Sequence, residues 1–164
     1  MDKLKNFTEN LINSEIKDFQ QLSGGASAET YKLTLKNKKK YILRRTPKSS
    51  ESKLAISKKL EAKIQKIVKL NNVPVPEILY DFDDKSGFGS GYVMEFISGE
   101  TIPRKILRDD IFKKIRTSIT FRMGEILAKI HQSDISNLGE LKEMSFDESL
   151  KAVSYTHLTL PTKQ

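Results

Sequence analysis

Three short segments of β-type pattern precede the first long helical segment, and only turns separate them. Residues 30–35 alternate along the chain and are rich in strand-forming types, and 16–22 and 41–44 flank them as further candidate strands. The first turn, 23–27, consists of small residues that include two glycines, and the second, 36–39, is polar. Strands joined by turns this short pair antiparallel, so the sequence predicts an antiparallel meander.

Helical periodicity surrounds these strands, and two more strand patterns follow them. The helical segments are 1–14, 50–70 and 109–131. Ser52 is a candidate N-cap of the second helical segment. The additional strand patterns are 78–82 and 91–97, and the latter is almost continuously apolar. A continuous apolar run indicates a strand in the interior of the sheet.

The composition excludes several classes of protein. The 164 residues include no cysteine, which rules out disulfides and thiolate metal sites, and the two histidines are far apart in sequence. No apolar run is long enough to cross a bilayer, and the N-terminus lacks a signal-peptide core. The net charge of +8 permits a nucleic-acid partner, but the lysines are mixed with acids and lack interleaved aromatic residues. We therefore expect a cytoplasmic protein that binds neither membrane nor nucleic acid.

Five strings of the sequence stand in a specific order along residues 16–135. They are LSGGASAETYKL, YILRRTP, LEAKIQKIVKLNNVPVPEIL, GYVMEFISGE and LAKIHQSDI. Together they resemble successive blocks of the aminoglycoside phosphotransferase family. The resemblance implies an α+β fold with a protein-kinase-like N-lobe, which is a five-stranded antiparallel sheet plus a helix. It places this lobe at residues 1–99 and the first helices of a C-lobe at residues 100–152.

The resemblance also implies a nucleotide cradle at the first turn. Backbone N–H groups of Gly24, Gly25 and Ala26 would approach the phosphates of ATP or another nucleoside triphosphate, and the Ser27 hydroxyl would add a donor. The turn lacks the lysine and the spacing of a Walker A motif. The alternative is a plain hairpin turn without a ligand.

Arg44 stands where the resemblance places the phosphate-binding lysine in the third strand of kinases. The arginine resembles the branch of the family related to acyl-CoA dehydrogenase-linked kinases, and a guanidinium suits phosphate and carboxylate. Glu61 is the candidate partner, because it lies thirteen positions before Pro74, as in the family. The alternatives are an exposed strand end for Arg44 and a surface acid for Glu61. Arg45 faces the opposite side, where we expect it to be solvated.

The segment 94–99 resembles the linker that binds adenine. Met94 would stand at the entrance of a back pocket, the Glu95 carbonyl would accept a hydrogen bond from adenine, and the Ile97 amide would donate one. Main-chain groups would make these contacts, so the side chains carry little information. Without the other strings, these residues are an ordinary buried strand.

The catalytic part of the family pattern is absent from the sequence. No string has a His-Gly-Asp start with an asparagine five residues after the aspartate, followed by an aspartate for Mg²⁺. We therefore assign no catalytic and no metal-binding residue here, and we expect Mg²⁺ only in a full-length parent. The expected activity of that parent is ATP-dependent transfer of a phosphoryl group to a hydroxyl of a small-molecule acceptor. The alternatives are a pseudokinase-like nucleotide-binding module and a basic nucleic-acid binder.

The last residues, 153–164, differ abruptly in composition from the rest of the chain. The segment VSYTHLTLPTKQ is rich in threonine, leucine and proline and contains no acidic residue. The string resembles the translation of a transposase-type sequencing adapter. This resemblance predicts that the segment is not native and that the natural protein continues past Lys151 to a His-Gly-Asp-type loop. The chain alone is then expected to be inactive, and poorly soluble or partly unfolded.

Overall fold

All five predicted strands pair in one antiparallel sheet in the computed structural model. The residues that it describes are 2–22, 28–48, 56–136, 138 and 145–151. The strands are β1 (Ile16–Leu22), β2 (Glu29–Leu35), β3 (Lys40–Thr46), β4 (Ile78–Phe82) and β5 (Ser90–Glu95). Helices in the described residues include α1 (Asp2–Ile12), α2 (Lys58–Leu70), α3 (Pro103–Arg108), α4 (Lys113–Arg116) and α5 (Ile119–His131). The predicted α+β architecture, a kinase-like sheet with helices, is confirmed.

The strand order in the sheet is β1-β2-β3-β5-β4, and every neighbouring pair is antiparallel. β5 therefore lies between β3 and β4, as its nearly continuous apolar sequence predicted. β5 ends at Glu95, so the predicted strand 91–97 is wrong at Phe96 and Ile97, which belong to the segment that leaves the sheet. β3 occupies the middle of the sheet, where Leu43 pairs with Tyr31 of β2 on one side and with β5 on the other.

Helices cover the two faces of the sheet and bury different side chains. α1 lies over the larger core cluster, which contains Leu4, Ile12, Ile16, Tyr31, Leu33, Leu35, Leu43, Phe82 and Val93. α2 packs on the other face, where Ala62 contacts Ile78 and Tyr92. Because strand side chains alternate between faces, β3 presents Arg44 on the α2 face and Arg45 on the α1 face.

Ser57 caps α2, which begins later than the sequence pattern predicted. The Ser57 hydroxyl accepts a hydrogen bond from the Leu60 amide at 3.1 Å, and Ser57 itself is extended. This cap satisfies one of the amides that a first helical turn leaves without an intrahelical partner. The predicted start at residue 50 is therefore wrong where it included Ile56 and Ser57. The candidate cap Ser52 lies outside the described residues.

The helical pattern 109–131 is interrupted at Thr117 and Ser118, between α4 and α5. The Thr117 hydroxyl donates to the Lys114 carbonyl at 2.8 Å, and the Ser118 hydroxyl donates to the Ile115 carbonyl at 3.4 Å. Serine and threonine side chains that bond to nearby backbone groups compete with the hydrogen bonds of a helix. The prediction of one continuous helix is therefore wrong, because apolar periodicity does not report this competition.

The apolar stripe of the last helices is mostly exposed in the described part of the chain. Ile111 is 84% exposed and Met123 is 63% exposed, and no residue of α5 is buried. An exposed stripe of this kind favours self-association. No helix in the described part of the chain is both long and apolar enough to cross a membrane.

We predict that residues 1–151 expressed alone self-associate or unfold partly, because the stripe on α5 is exposed. Replacing the exposed Phe121 and Leu127 by glutamine is expected to raise the monomeric fraction in size-exclusion chromatography with light scattering. Glutamine at the exposed Lys113 and Lys114 is the matched control and is expected to give no gain. A monodisperse parent with strong amide protection across 119–131 would contradict the prediction.

Candidate functional site

Arg44 of β3 and Glu61 of α2 form an ion pair between the sheet and the helix. The distance from Arg44 Nη1 to Glu61 Oε1 is 3.1 Å, and both side chains are partly exposed. β3 places Arg44 directly opposite Tyr92 of β5, and α2 places Glu61 in its first turn. The predicted pairing of these two residues is confirmed, while their role in binding a nucleotide stays a prediction.

Two further side chains hold the Glu61 carboxylate, and the sequence analysis missed both. The Tyr92 hydroxyl donates to Oε1 at 2.7 Å, and Lys58 Nζ donates to Oε2. Tyr92 is 0% exposed, and Lys58 is also buried. Signals for both existed in the sequence, because residues three apart share a helix face and a buried tyrosine hydroxyl needs a partner.

Glu61 is ionised under ordinary conditions because of this set of donors. Burial by itself would raise its pKa, but the hydrogen bonds from Lys58 and Tyr92 and the charges of Arg44 and Lys58 outweigh burial, so the pKa is lowered. Burial, followed by the hydrogen bond to Glu61, raises the pKa of Tyr92, so its hydroxyl stays protonated. Two cations and one carboxylate leave the cluster with one net positive charge.

One donor of Arg44 has no acceptor. The Nε atom is buried and makes no hydrogen bond within the described residues. Leaving a buried donor without a partner costs about 1–3 kcal/mol, and more for a charged group. An anionic oxygen at the exposed part of the Arg44 guanidinium would neutralise the excess charge of the cluster.

An apolar cavity of about 410 Å³ adjoins the ion pair. Its lining residues are Arg44, Glu61, Ile64, Gln65, Val68, Val73, Val75, Pro76, Tyr92, Met94 and Ile130. The structure thus brings Arg44, Glu61 and Met94 to one place, as the sequence analysis expected. Glu95 and Ile97 do not line this cavity. Both are exposed where β5 ends, and no hydrogen bond engages the Ile97 amide within the described residues.

The glycine-containing turn cannot be placed in the same way. Gly24, Gly25, Ala26 and Ser27 lie outside the described residues. The strands that flank the turn are described, and the end of β1 pairs with Thr30, which itself pairs with Arg44. The neighbouring ends of β1 and β2 therefore lie beside the strand position of Arg44.

Two lysines add positive charge near the segment that follows β5. Lys32 Nζ lies 5.2 Å and Lys40 Nζ 5.8 Å from the centre of the Phe96 ring. Such cation–π contacts hold both ammonium groups close to the end of β5.

Arg45 is not solvated, and the expectation for it was wrong. Its Nε donates to Glu29 at 2.8 Å, its Nη2 lies 2.7 Å from the same carboxylate, and its Nη1 donates to the Phe88 carbonyl at 2.9 Å. Glu29 is opposite Arg45 in the β2–β3 register. The α1 face is covered, so a guanidinium there needs such partners.

These features define a class of protein. A cation on the third strand that is paired to a glutamate on the following helix, within an antiparallel sheet, is the arrangement of kinase-like phosphotransferases. The chain belongs to the phosphotransferase enzyme family, whose sequence model matches residues 18–158. No curated protein matches the chain.

The family match leaves some expectations open. It extends to residue 158 and so includes part of the segment 153–164, whose non-native origin stays a prediction. The boundaries of the two lobes at 1–99 and 100–152 also stay predictions. No group of three or more histidine, cysteine, aspartate or glutamate side chains could hold a metal within the described ranges.

We predict that Glu61 makes stability depend on pH in the acid range. A lowered pKa means that folding favours the carboxylate, so its stabilisation is complete above the ordinary glutamate pKa of about 4.3. The stabilisation is lost as the pH falls through the lower pKa of the folded state. Glu61→Gln is expected to reduce the free energy of unfolding by about 1–3 kcal/mol near pH 7 and to change it little at the acid end.

Denaturant unfolding at a series of pH values measures this difference. Glu77→Gln is the matched control, since Glu77 is 61% exposed in a 3.7 Å contact with Lys69. An exposed ion pair contributes at most about 1 kcal/mol. A constant difference between the parent and Glu61→Gln across the whole pH range would contradict the prediction.

Proposed function

We propose that the protein transfers the γ-phosphoryl group of ATP, or of another nucleoside triphosphate, to a hydroxyl group of a small molecule. The observation that carries this proposal is the Arg44–Glu61 pair with its unpartnered, buried Nε, in a chain of the phosphotransferase enzyme family. A cytoplasmic location belongs to the same proposal and rests on the absence of cysteine.

Arg44 would hold the phosphates of the nucleotide. Its guanidinium is always charged, and its planar donors match the oxygens of a phosphate. Glu61 contacts Nη1 and thereby orients the group, while the Arg44 side chain stays 35% exposed. Gly24, Gly25, Ala26 and Ser27 would add backbone and hydroxyl donors, an assignment that rests on the family resemblance.

The base of the nucleotide would lie at the end of β5. Met94 lines the apolar cavity, and the Ile97 amide has no hydrogen-bond partner in the described part of the chain. The carbonyl of Glu95 and the amide of Ile97 would bind the edge of adenine. The positive charges of Lys32 and Lys40 lie nearby and would favour an anionic ligand.

These residues would act by positioning and by charge stabilisation. A phosphoryl transfer needs the donor to be held in line and its developing charge to be neutralised, and little covalent chemistry from the protein. The donor supplies the phosphoryl group when bound, and Mg²⁺ supplies charge at its oxygens. The acceptor-binding, metal-binding and catalytic groups belong to the full-length parent in this proposal.

We predict that the chain binds ATP in the presence of Mg²⁺ and that Arg44→Ala weakens binding by about tenfold or more. This loss corresponds to a hydrogen bond to a charged group. Isothermal titration calorimetry measures the dissociation constant. Arg122→Ala, at an exposed position of α5, is the matched control and is expected to bind like the parent. Equal affinity of Arg44→Ala and the parent would contradict the phosphate role.

We predict further that this chain does not transfer phosphate from ATP to any hydroxyl acceptor. The 164 residues contain no His-Gly-Asp string to position an acceptor and no later aspartate to bind the metal. Release of ADP in a coupled assay with a panel of sugars, amino alcohols and hydroxyacyl thioesters tests this expectation. Mg²⁺-dependent turnover that Arg44→Ala abolishes would show that the chain already holds the catalytic groups.

A further inference from the structure

We propose that Tyr92 is a positioning residue, whose hydroxyl fixes the Glu61 carboxylate and, with it, the Arg44 guanidinium that would hold the phosphates of a nucleotide. This inference rests on the proposed function and assigns a role to a residue that does not touch the ligand. Tyr92 acts on Arg44 through Glu61 and through its own contact with Arg44.

The position of the Tyr92 hydroxyl is set by packing. The residue is 0% exposed, and it packs with Ala62 of α2 and Ile78 of β4. It also lies directly opposite Arg44 in the β3–β5 register. A buried aromatic ring on an interior strand has few alternative rotamers, so its oxygen is a fixed point of the sheet.

The Glu61 carboxylate needs such a fixed point because two cations share it. Lys58 binds Oε2, while Arg44 and Tyr92 share Oε1. Arg44 reaches the carboxylate through Nη1, and its Nε makes no hydrogen bond within the described ranges. The Tyr92 hydroxyl also interacts with Arg44, so the orientation of the guanidinium depends both on this contact and on where Tyr92 holds Oε1.

The other face of the sheet carries the same three residue types in a different arrangement. Tyr31 donates to Glu29 at 2.7 Å, and Glu29 accepts from Arg45. There the carboxylate accepts from Nε and contacts Nη2, and Phe88 accepts from Nη1. The arginine on the α1 face thus has its donors engaged and is 15% exposed, whereas the arginine on the α2 face has fewer partners and is 35% exposed. This difference indicates that the Tyr92 arrangement orients a guanidinium that a ligand can reach.

The test compares ATP with adenosine, which has no phosphates, on the whole chain by calorimetry with Mg²⁺. Tyr92→Phe keeps the ring and removes the hydroxyl, and it is expected to weaken ATP binding by about five- to tenfold, the loss of one hydrogen bond. Adenosine binding is expected not to change. Tyr31→Phe is the matched control, since it removes an equal tyrosine–glutamate bond from the opposite face, and it is expected to bind ATP like the parent.

A double-mutant cycle and a spectroscopic measurement complete the test. Tyr92→Phe is expected to have no further effect on ATP affinity in an Arg44→Met background, because the hydroxyl acts through the arginine. In NMR relaxation of arginine side chains, the Nε–H of Arg44 is expected to be ordered in the parent and mobile in Tyr92→Phe.

Each outcome decides between this inference and the proposed function. If the parent binds ATP but Tyr92→Phe binds it equally well, the positioning role is overturned and the proposed function stands. If Tyr92→Phe weakens ATP and adenosine alike, the tyrosine has a structural role and the inference is overturned. If the parent does not bind ATP, the proposed function fails and the phosphate role of Tyr92 fails with it.

Discussion

The alternation of side chains along β3 determines where the charged groups of the site lie. β3 pairs with both β2 and β5. A register shift of one residue would move Leu43 out of the core and turn every other side chain of β3 to the opposite face of the sheet. This register puts Arg44 beside α2 and Arg45 beside α1. Tyr92 reaches this site because β5 places it opposite Arg44 in the sheet. Glu61 reaches Arg44 because α2 packs on the same face of the sheet.

The sequence was sufficient for the meander of β1, β2 and β3, because strand patterns joined by short turns leave few ways to pair neighbouring strands. The apolar run of β5 also indicated its interior position, since a strand buried on both faces has no polar side. Helix ends were predicted less well. The hydroxyl of Ser57 sets the start of α2, and those of Thr117 and Ser118 end a helix by bonding to the backbone. The periodicity of apolar residues carries no information about such hydrogen bonds.

The sequence predicted those site residues whose role followed from the family resemblance. It did not predict the residues whose partners depend on tertiary contacts. The pairing of Arg44 with Glu61 followed from the position of a glutamate in a family pattern, and the structure has it. Tyr92 read as one more apolar residue of a buried strand, although its hydroxyl required an acceptor. Arg45 was expected to be solvated. The alternation of side chains indicated which face of the sheet it lies on, but it did not indicate that α1 covers this face.

The two arginine–glutamate–tyrosine clusters show that residue type alone does not separate a structural group from a functional one. On the α1 face, the carboxylate and a carbonyl engage Nε, Nη1 and Nη2 of Arg45, which removes the cost of burying a charge. On the α2 face, Lys58 binds Oε2 of Glu61 and Arg44 Nη1 contacts Oε1, while Nε of Arg44 has no acceptor within the described residues. The extra cation leaves the cluster with a net positive charge. A ligand with anionic oxygens would neutralise this charge at the exposed part of the guanidinium, and a neutral ligand would not.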